Sequence, residues 1–427
     1  MAVKENKILT DDVIAKESLL LLKNNLVFAK LVYRAYEKTF GKVGDTISLK
    51  LPFRTKTASG RTLVKQPMVD QTIPFKIDRQ ENFGIEYTMN DLTLDIERFS
   101  ERYLKSGMIQ IANVIDRSIA MTLKQAFHTS GGAGTRPGKY IDFANAAAKM
   151  STYAIPQDGM RQAVLDPFTC ASLSDEVTRI FEKAMVKAAY TKGYKGPIAE
   201  LVTYESNNIP KHTVGNYDGT PLVEGTTPIT NGNTVTFDGG LAVANANYLA
   251  VGDVITFGTA GTADATYGVN PQSYETTGLL AEFVVSSVVQ TNASGVGTIT
   301  FTPALNDGTA TTTNDDGDTI SLAAYQNVTA LPADDAPITV LGDAGKTYEQ
   351  NYLFHKEAIA LCMIDKDLPR SAVVKARVSD PISGLSLSMT QGYNIVEDAE
   401  TTRIDVIWGA HMINAELAMR MYGKAVG

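Results

Sequence analysis

Cysteine, tryptophan and histidine are scarce: the chain has two, one and four of them. Cys170 and Cys362 both sit in apolar surroundings. They fit a reducing compartment better than a disulfide framework. No apolar run approaches the roughly 18 residues of a membrane span, so no membrane partnership is expected. The longest near the start, Leu19 to Leu22, is stopped by Lys23. Lys4, Glu5 and Lys7 precede any apolar run, and no signal peptide is expected. There is no GxxxxGK[ST] and no GxGxxG after a strand, which removes the common phosphate and dinucleotide cradles. His128, His212, His355 and His411 lack metal-ligand spacing, and none lies within five residues of a cysteine. His355 reads as a structural histidine rather than a base. Asp365 and Asp367 read as a solvated turn beside Lys366, not a catalytic pair. Asp315, Asp316 and Asp318 faintly resemble a calcium loop, but the downstream bidentate Glu is missing. Trp408, in an apolar run, reads as core. These absences predict no catalytic residue, no cofactor and no metal, hence no enzyme.

The sharpest absence is of positive charge. From His212 to Gly345 there is no Lys or Arg, against fourteen Asp and Glu. The whole chain holds 39 basic and 47 acidic residues, so 39 basic and 33 acidic lie elsewhere. A segment of net −14 thus interrupts a remainder of net +6. Composition there also shifts toward Thr, Gly, Asn, Ala and Val, as expected of a domain inserted into a host domain. Residues 16–65 are the converse, with eleven bases and three acids. Arg54, Lys56, Arg61 and Lys65 crowd one polar stretch. They read either as a solvated face or as charge complementary to another copy of the chain. The overall net charge of −8 argues against general nucleic-acid affinity.

Thr10-Asp11-Asp12 predicts a helix start, Thr10 as N-cap and two acids in the first turn. That helix would run to Phe40, with Gly41 and Gly44 breaking it. Asp11 and Asp12 are alternatively a contact for a basic partner. Thr46 to Phe53 alternates as a strand, and Thr72–Ile77 and Phe83–Thr88 read as extended. Together they predict a hairpin arm around a polar tip, with little core of its own and a neighbour to lie on. Asp91 to Phe127 is the strongest helical pattern, with Ile96, Phe99, Tyr103, Ile111, Ile115, Ile119 and Leu123 mostly at spacings of three or four. A Gly-rich turn, Gly131 to Gly138, ends it. Gln162 to Pro167 reads as a buried strand, Leu173 to Ala189 as a helix, and Leu201 to Tyr204 as a strand. Within the acidic segment, Thr234–Phe237, Asp253–Phe257, Glu282–Val289, Gly297–Phe301, Thr319–Leu322 and Pro337–Leu341 predict a small all-β barrel or sandwich. Thr309 to Asp318 reads as a polar, mobile loop. Tyr352–Ile364 resumes α/β texture, Leu385–Met389 and Thr402–Trp408 read as a strand pair, and Asn414–Met421 has no assigned type.

Several strings carry a resemblance: GDTISLKLP from Gly44, AYQNVT from Ala324, PADDAPITV from Pro332, YLFHKEA from Tyr352 and TRIDVIWGA from Thr402. In this order, with an insertion so placed, the chain resembles the major capsid proteins of tailed bacteriophages, in particular the coat family of phage P22. The resemblance implies an α+β tailed-phage capsid fold of the HK97 type with an inserted all-β barrel. It implies an N-terminal helical arm at 1–44, an extended hairpin loop at 45–88 and a peripheral domain with spine helix at 89–150. It further implies an axial domain beginning at 151–210, the barrel at 211–345, and a return through both domains at 346–427. The implied partners are copies of the chain in hexamers and pentamers, a scaffolding protein and a portal protein. The shell would enclose double-stranded DNA without sequence-specific binding, in a virion assembled in the host cytoplasm. On this reading Arg54, Lys56, Arg61 and Lys65 are assembly contacts, and Asp11 and Asp12 scaffold contacts. A non-viral shell-forming compartment is the alternative, and a β-rich adhesin a weaker one.

Overall fold

The computed structural model describes residues 16, 18–22, 26–34, 46–57, 60–61, 72–88, 105–178, 196–225, 230–243, 246–313, 319–364, 366, 374–380, 385–394 and 399–426. The chain divides into two compact units. One comprises Met1–Leu49, Thr72–Thr122 and Ile359–Ile413, the other Lys50–Gln71, Leu123–Ala358 and Asn414–Gly427.

The first unit is built on one long strand, Ala399–Met412. It pairs antiparallel with Leu385–Asn394 along one edge and with Arg79–Thr88, then Ile359–Met363, along its own length. Val374–Asp380 completes the five-stranded sheet. Arg79–Thr88 therefore does not extend the hairpin arm. Among the described residues, Thr46–Lys50 and Thr72–Lys76 form that two-stranded ribbon. The spine helix runs Lys105–Thr122 and buries Met108, Ile111, Ala112, Ile115 and Ile119. The first part of its predicted span, Asp91 to Leu104, lies outside the described residues. Gly107 is required here, because a Cβ would meet the Phe83 ring at 2.2 Å. Trp408 is core, and its Nε1 donates to Ser118 Oγ on the helix at 3.0 Å.

The predicted continuous helix from Thr10 to Phe40 is corrected. Residues 18–22 are helical, but the chain breaks at Leu26–Val27 before a short helix, Phe28–Leu31. The cause is Asp116, fully buried on the spine helix. Its carboxylate accepts the N–H of Val27 at 2.6 Å and of Ala29 at 3.2 Å, donors that a continuous helix would spend on its own carbonyls. Burial raises the Asp116 carboxyl to about 6, against partial relief from those backbone N–H groups.

The second unit holds a seven-stranded mixed sheet and an eight-stranded one. In the first, Thr347–His355 lies between Ala418–Val426 and Arg161–Leu165, with His128–Ser130 and Leu201–Glu205 beyond them. Two helices cover it, Tyr140–Thr152 and Pro167–Thr178. Phe143, Ala147, Met150 and Leu173 pack on Ala163, Leu165, Leu353 and Met421. The predicted turn from Gly131 ends no helix, because a 3-10 turn, Leu123–Gln125, and the strand His128–Ser130 come first. The helix read from Leu173 starts at Pro167, a residue suited to the first helical turn. Its stretch from Arg179 to Ala189 lies outside the described residues.

Six strands of the eight-stranded sheet close into a barrel. Leu222–Val223 pairs with Gly232–Asp238, which pairs with Gly297–Leu305. The order continues through Glu282–Val285, Val254–Phe257 and Ile338–Val340. Leu222 then bridges Pro337, with Val223 N donating to Ala336 O and Ile338 N to Pro221 O, each at 2.9 Å. Closure removes the exposed sheet edge. Phe257, Phe283 and Phe301 meet at centroid distances of 5.1–5.6 Å inside it. The predicted Glu282–Val289 strand is interrupted at Ser286–Val288, and Val289–Thr291 turns to pair with Ala246–Leu249. The predicted loop at Thr309 begins a hairpin, Thr311–Thr313 against Thr319–Ser321. Asp315, Asp316 and Asp318 lie outside the described residues, as do Asp365 and Asp367.

Candidate functional site

Two groups of polar side chains in the second unit bear on function. The first surrounds the start of the basic loop. Pro52 offers no N–H to a ladder, and the chain after Lys50 is irregular. Arg54 pairs with the Glu416 carboxylate and stands 5.9 Å from the centroid of the Tyr325 ring. Lys56 Nζ lies 4.7 Å over the Tyr274 ring, within cation–π range. The Tyr274 hydroxyl is 3.2 Å from both Thr55 O and Ala324 O. Each receiving residue is fixed locally. Asn414 Oδ1 accepts Glu416 N at 3.1 Å in the turn Ala415–Leu417. Asn306 Nδ2 donates to Leu322 O and Asn327 Nδ2 to Ala304 O, holding the segment that carries Tyr325. Asn270 O accepts Tyr274 N at 2.9 Å. Of the four predicted assembly bases, the structure brings Arg54 and Lys56 onto their own chain. Arg61 is exposed. Lys65, Asp11 and Asp12 lie outside the described residues.

The second group pins the acidic barrel to the seven-stranded sheet. Glu282, at the head of a barrel strand, is largely buried and accepts Lys149 Nζ at 2.8 Å and Thr129 N at 2.9 Å. Thr129 Oγ1 also donates to it. Burial opposes ionisation of Glu282, but His128 and Lys149 outweigh it and hold the carboxyl at about 2. Burial keeps His128 itself below its ordinary pKa, so Lys149 is the full cation of the cluster. Asp253 is fully buried and accepts His212 Nε2 at 2.8 Å, Gly215 N at 3.0 Å and Ala250 N at 2.8 Å. Burial also holds His212 below its ordinary pKa, so the ring is a neutral donor to Asp253. Arg420, fully buried on the sheet, donates to Gly252 O at 2.8 Å. Sequence reading missed these pairings, yet a signal was there. A barrel without a base of its own must draw any cation for a buried acid from the flanking chain.

Neither group juxtaposes a nucleophile, a base and an orienting acid. His355 Nε2 reaches Asp158 at 3.1 Å, a structural pairing at the end of a buried strand. Among the described residues no three His, Cys, Asp or Glu side chains gather as a metal site. No helix among them is long and apolar enough to cross a membrane. Glu282 is matched to the Lys149 cation of the flanking chain, and Asp253 to the His212 ring and two backbone N–H groups.

The model of the family described as "P22 coat protein - gene protein 5" matches residues 1–423. The chain belongs to that family. It is therefore a phage coat protein, a virion component of the capsid fold, and its work is structural. The α+β architecture, mostly strand with few helices, is that of this coat protein. None of the curated proteins matches the sequence. Among solved structures the coat protein is similar to one from Mycobacterium phage Che8, at 13% identity and TM-score 0.46, covering 93% of this chain and 90% of that one. It is similar to the capsid of Ralstonia phage GP4, at 10% identity and TM-score 0.44, covering 93% and 88%. It is also similar to a virus-like particle from Pyrococcus furiosus, at 6% identity and TM-score 0.40, covering 96% and 97%.

Proposed function

We propose that this coat protein is the major subunit of an icosahedral shell, built from hexamers and pentamers with a scaffolding protein and a portal protein in the host cytoplasm. The shell encloses double-stranded DNA that it does not read. The family match along residues 1–423 is the observation that carries this reading. The charge pattern supports it. A barrel segment without Lys or Arg and a loop rich in both offer complementary surfaces to successive copies. A net charge of −8 also suits a wall past which DNA must slide.

In the same reading residues 211–345 form an inserted folding unit, the stretch carried by the ribbon Thr46–Lys50 and Thr72–Lys76 an extended loop, and residues 1–44 an arm bearing the scaffold contacts Asp11 and Asp12. Arg61 and Lys65 are the loop bases that meet a neighbour. Analytical ultracentrifugation tests the reading. Large closed species should form above a threshold concentration, at lower concentration with scaffold. A compact monomer at every concentration, with and without scaffold, overturns it.

A further inference from the structure

We propose that Tyr274, Tyr325 and Glu416 form a seat that straps the base of the basic loop, residues 51–57, onto the chain's own second unit before any neighbour is present. The inference goes beyond the shell-forming reading and stands whether or not the loop later docks on another copy.

Three contacts of different kinds converge on three consecutive loop residues, Arg54 to Lys56. Arg54 makes an ion pair with Glu416 and faces the Tyr325 ring. Lys56 stands over the Tyr274 ring at 4.7 Å. Between them, Thr55 O lies 3.2 Å from the Tyr274 hydroxyl. Successive residues of an extended segment project to opposite sides, so residues i and i+2 share a side. Arg54 and Lys56 accordingly both find aromatic partners on one body, and the intervening carbonyl is within reach of a donor as well. The rings cost little ordering entropy, since turns anchored by Asn270, Asn306 and Asn327 already fix them. Arg54 and Glu416 also wall a cavity whose interior presents Phe127, His128, Tyr153 and Glu282.

The distribution of bases along the loop then has a meaning. Arg54 and Lys56 are spent in cis and set the direction in which the loop leaves the barrel. Arg61, further along, is exposed, and Lys56 is exposed too but stands over the Tyr274 ring.

Limited trypsin digestion of the full chain, kept as unassembled monomer, reads this directly, because cleavage needs a locally unfolded segment. The bonds after Arg54, Lys56 and Arg61 all lack a following proline. In the wild type, cleavage after Arg61 should precede cleavage after Arg54 and Lys56. The Tyr274→Ala/Tyr325→Ala variant should raise cleavage at the two inner sites about tenfold relative to Arg61. Glu416→Gln should act on the Arg54 bond more than on the Lys56 bond. Tyr274→Phe keeps the ring and should leave Lys56 protected. If the double variant fails to fold, the wild type alone decides. Its inner-site protection should weaken with rising salt, using Arg61 as the internal reference. Equal cleavage at all three sites in the wild type, or a ratio that folded variants do not move, overturns the strap.

Discussion

Replacing Glu282 by Gln removes one charge while keeping the shape of the side chain, and so isolates the pairing that pins barrel to sheet. The carboxyl is held at about 2 in the folded chain against an ordinary value of 4.5. At about 1.4 kcal/mol for each unit of difference, the ionised group stabilises the fold by about 3 kcal/mol at pH 7. The depressed folded value sets the sign. This stability is present above 4.5 and is lost as pH falls through 4.5 toward 2. Glu282→Gln also leaves the Lys149 ammonium, largely buried, facing an uncharged amide. Breaking a buried pair from one side costs about 3–5 kcal/mol. Urea unfolding followed by far-ultraviolet circular dichroism should therefore show a loss of about 3 kcal/mol at pH 7. Acidification from pH 7 to 3 should cost the wild type about 2 kcal/mol more than the variant. Adding Lys149→Met should cost less than the sum of the single changes, with a coupling of at least about 1 kcal/mol. A Glu282→Gln chain within about 0.5 kcal/mol of wild type at pH 7, with an unchanged acid response, would falsify the pinning argument.

Asp116→Ala should cost about 2–4 kcal/mol in unfolding followed by Trp408 fluorescence, since two buried N–H groups lose their acceptor. The raised Asp116 value gives the opposite pH sign, with stability present below about 4 and lost as pH rises through about 6. Asp116→Asn should abolish that loss, and a wild-type pH profile in the variant would refute the assignment. Residues 211–345 expressed alone should give a β-type spectrum and a cooperative melt, because the ring closes between Leu222 and Pro337; a random-coil spectrum would show that the segment is ordered only by its host. Reversing Arg61 and Lys65 to Glu should lower assembly yield at low salt while leaving the monomer melting temperature nearly unchanged, as exposed pairs contribute about 0.2–1 kcal/mol each. Normal shells from that double reversal would mean that the two bases are only solvated.

The barrel was the most legible part of the sequence. Thr234–Phe237, Asp253–Phe257, Gly297–Phe301 and Pro337–Leu341 alternate cleanly, and each falls on an observed strand. Strands that are very short or mostly exposed escaped, such as Leu222–Val223 and Thr276–Leu280. The helix Tyr140–Thr152 was missed because half of its buried face, Ala146 and Ala147 beside Phe143 and Met150, is alanine, which carries weak periodicity. Ala418–Val426 is a strand in the middle of a sheet, buried on both faces over most of its length, so no alternation marks it. The break at Val27 was invisible because its cause lies 89 residues away at Asp116. Among site residues, the charge pattern singled out Arg54 and Lys56, but charge alone does not tell a partner in cis from one in trans. Tyr274, Tyr325 and Glu416 gave no local signal.

Electron microscopy of the purified chain, prepared with and without the proposed scaffolding protein, tests the central claim most directly. A self-assembling coat subunit gives closed shells of uniform size with scaffold, and shells or tubes without it. Monomers alone under both conditions, from protein that is folded by circular dichroism, would contradict the account.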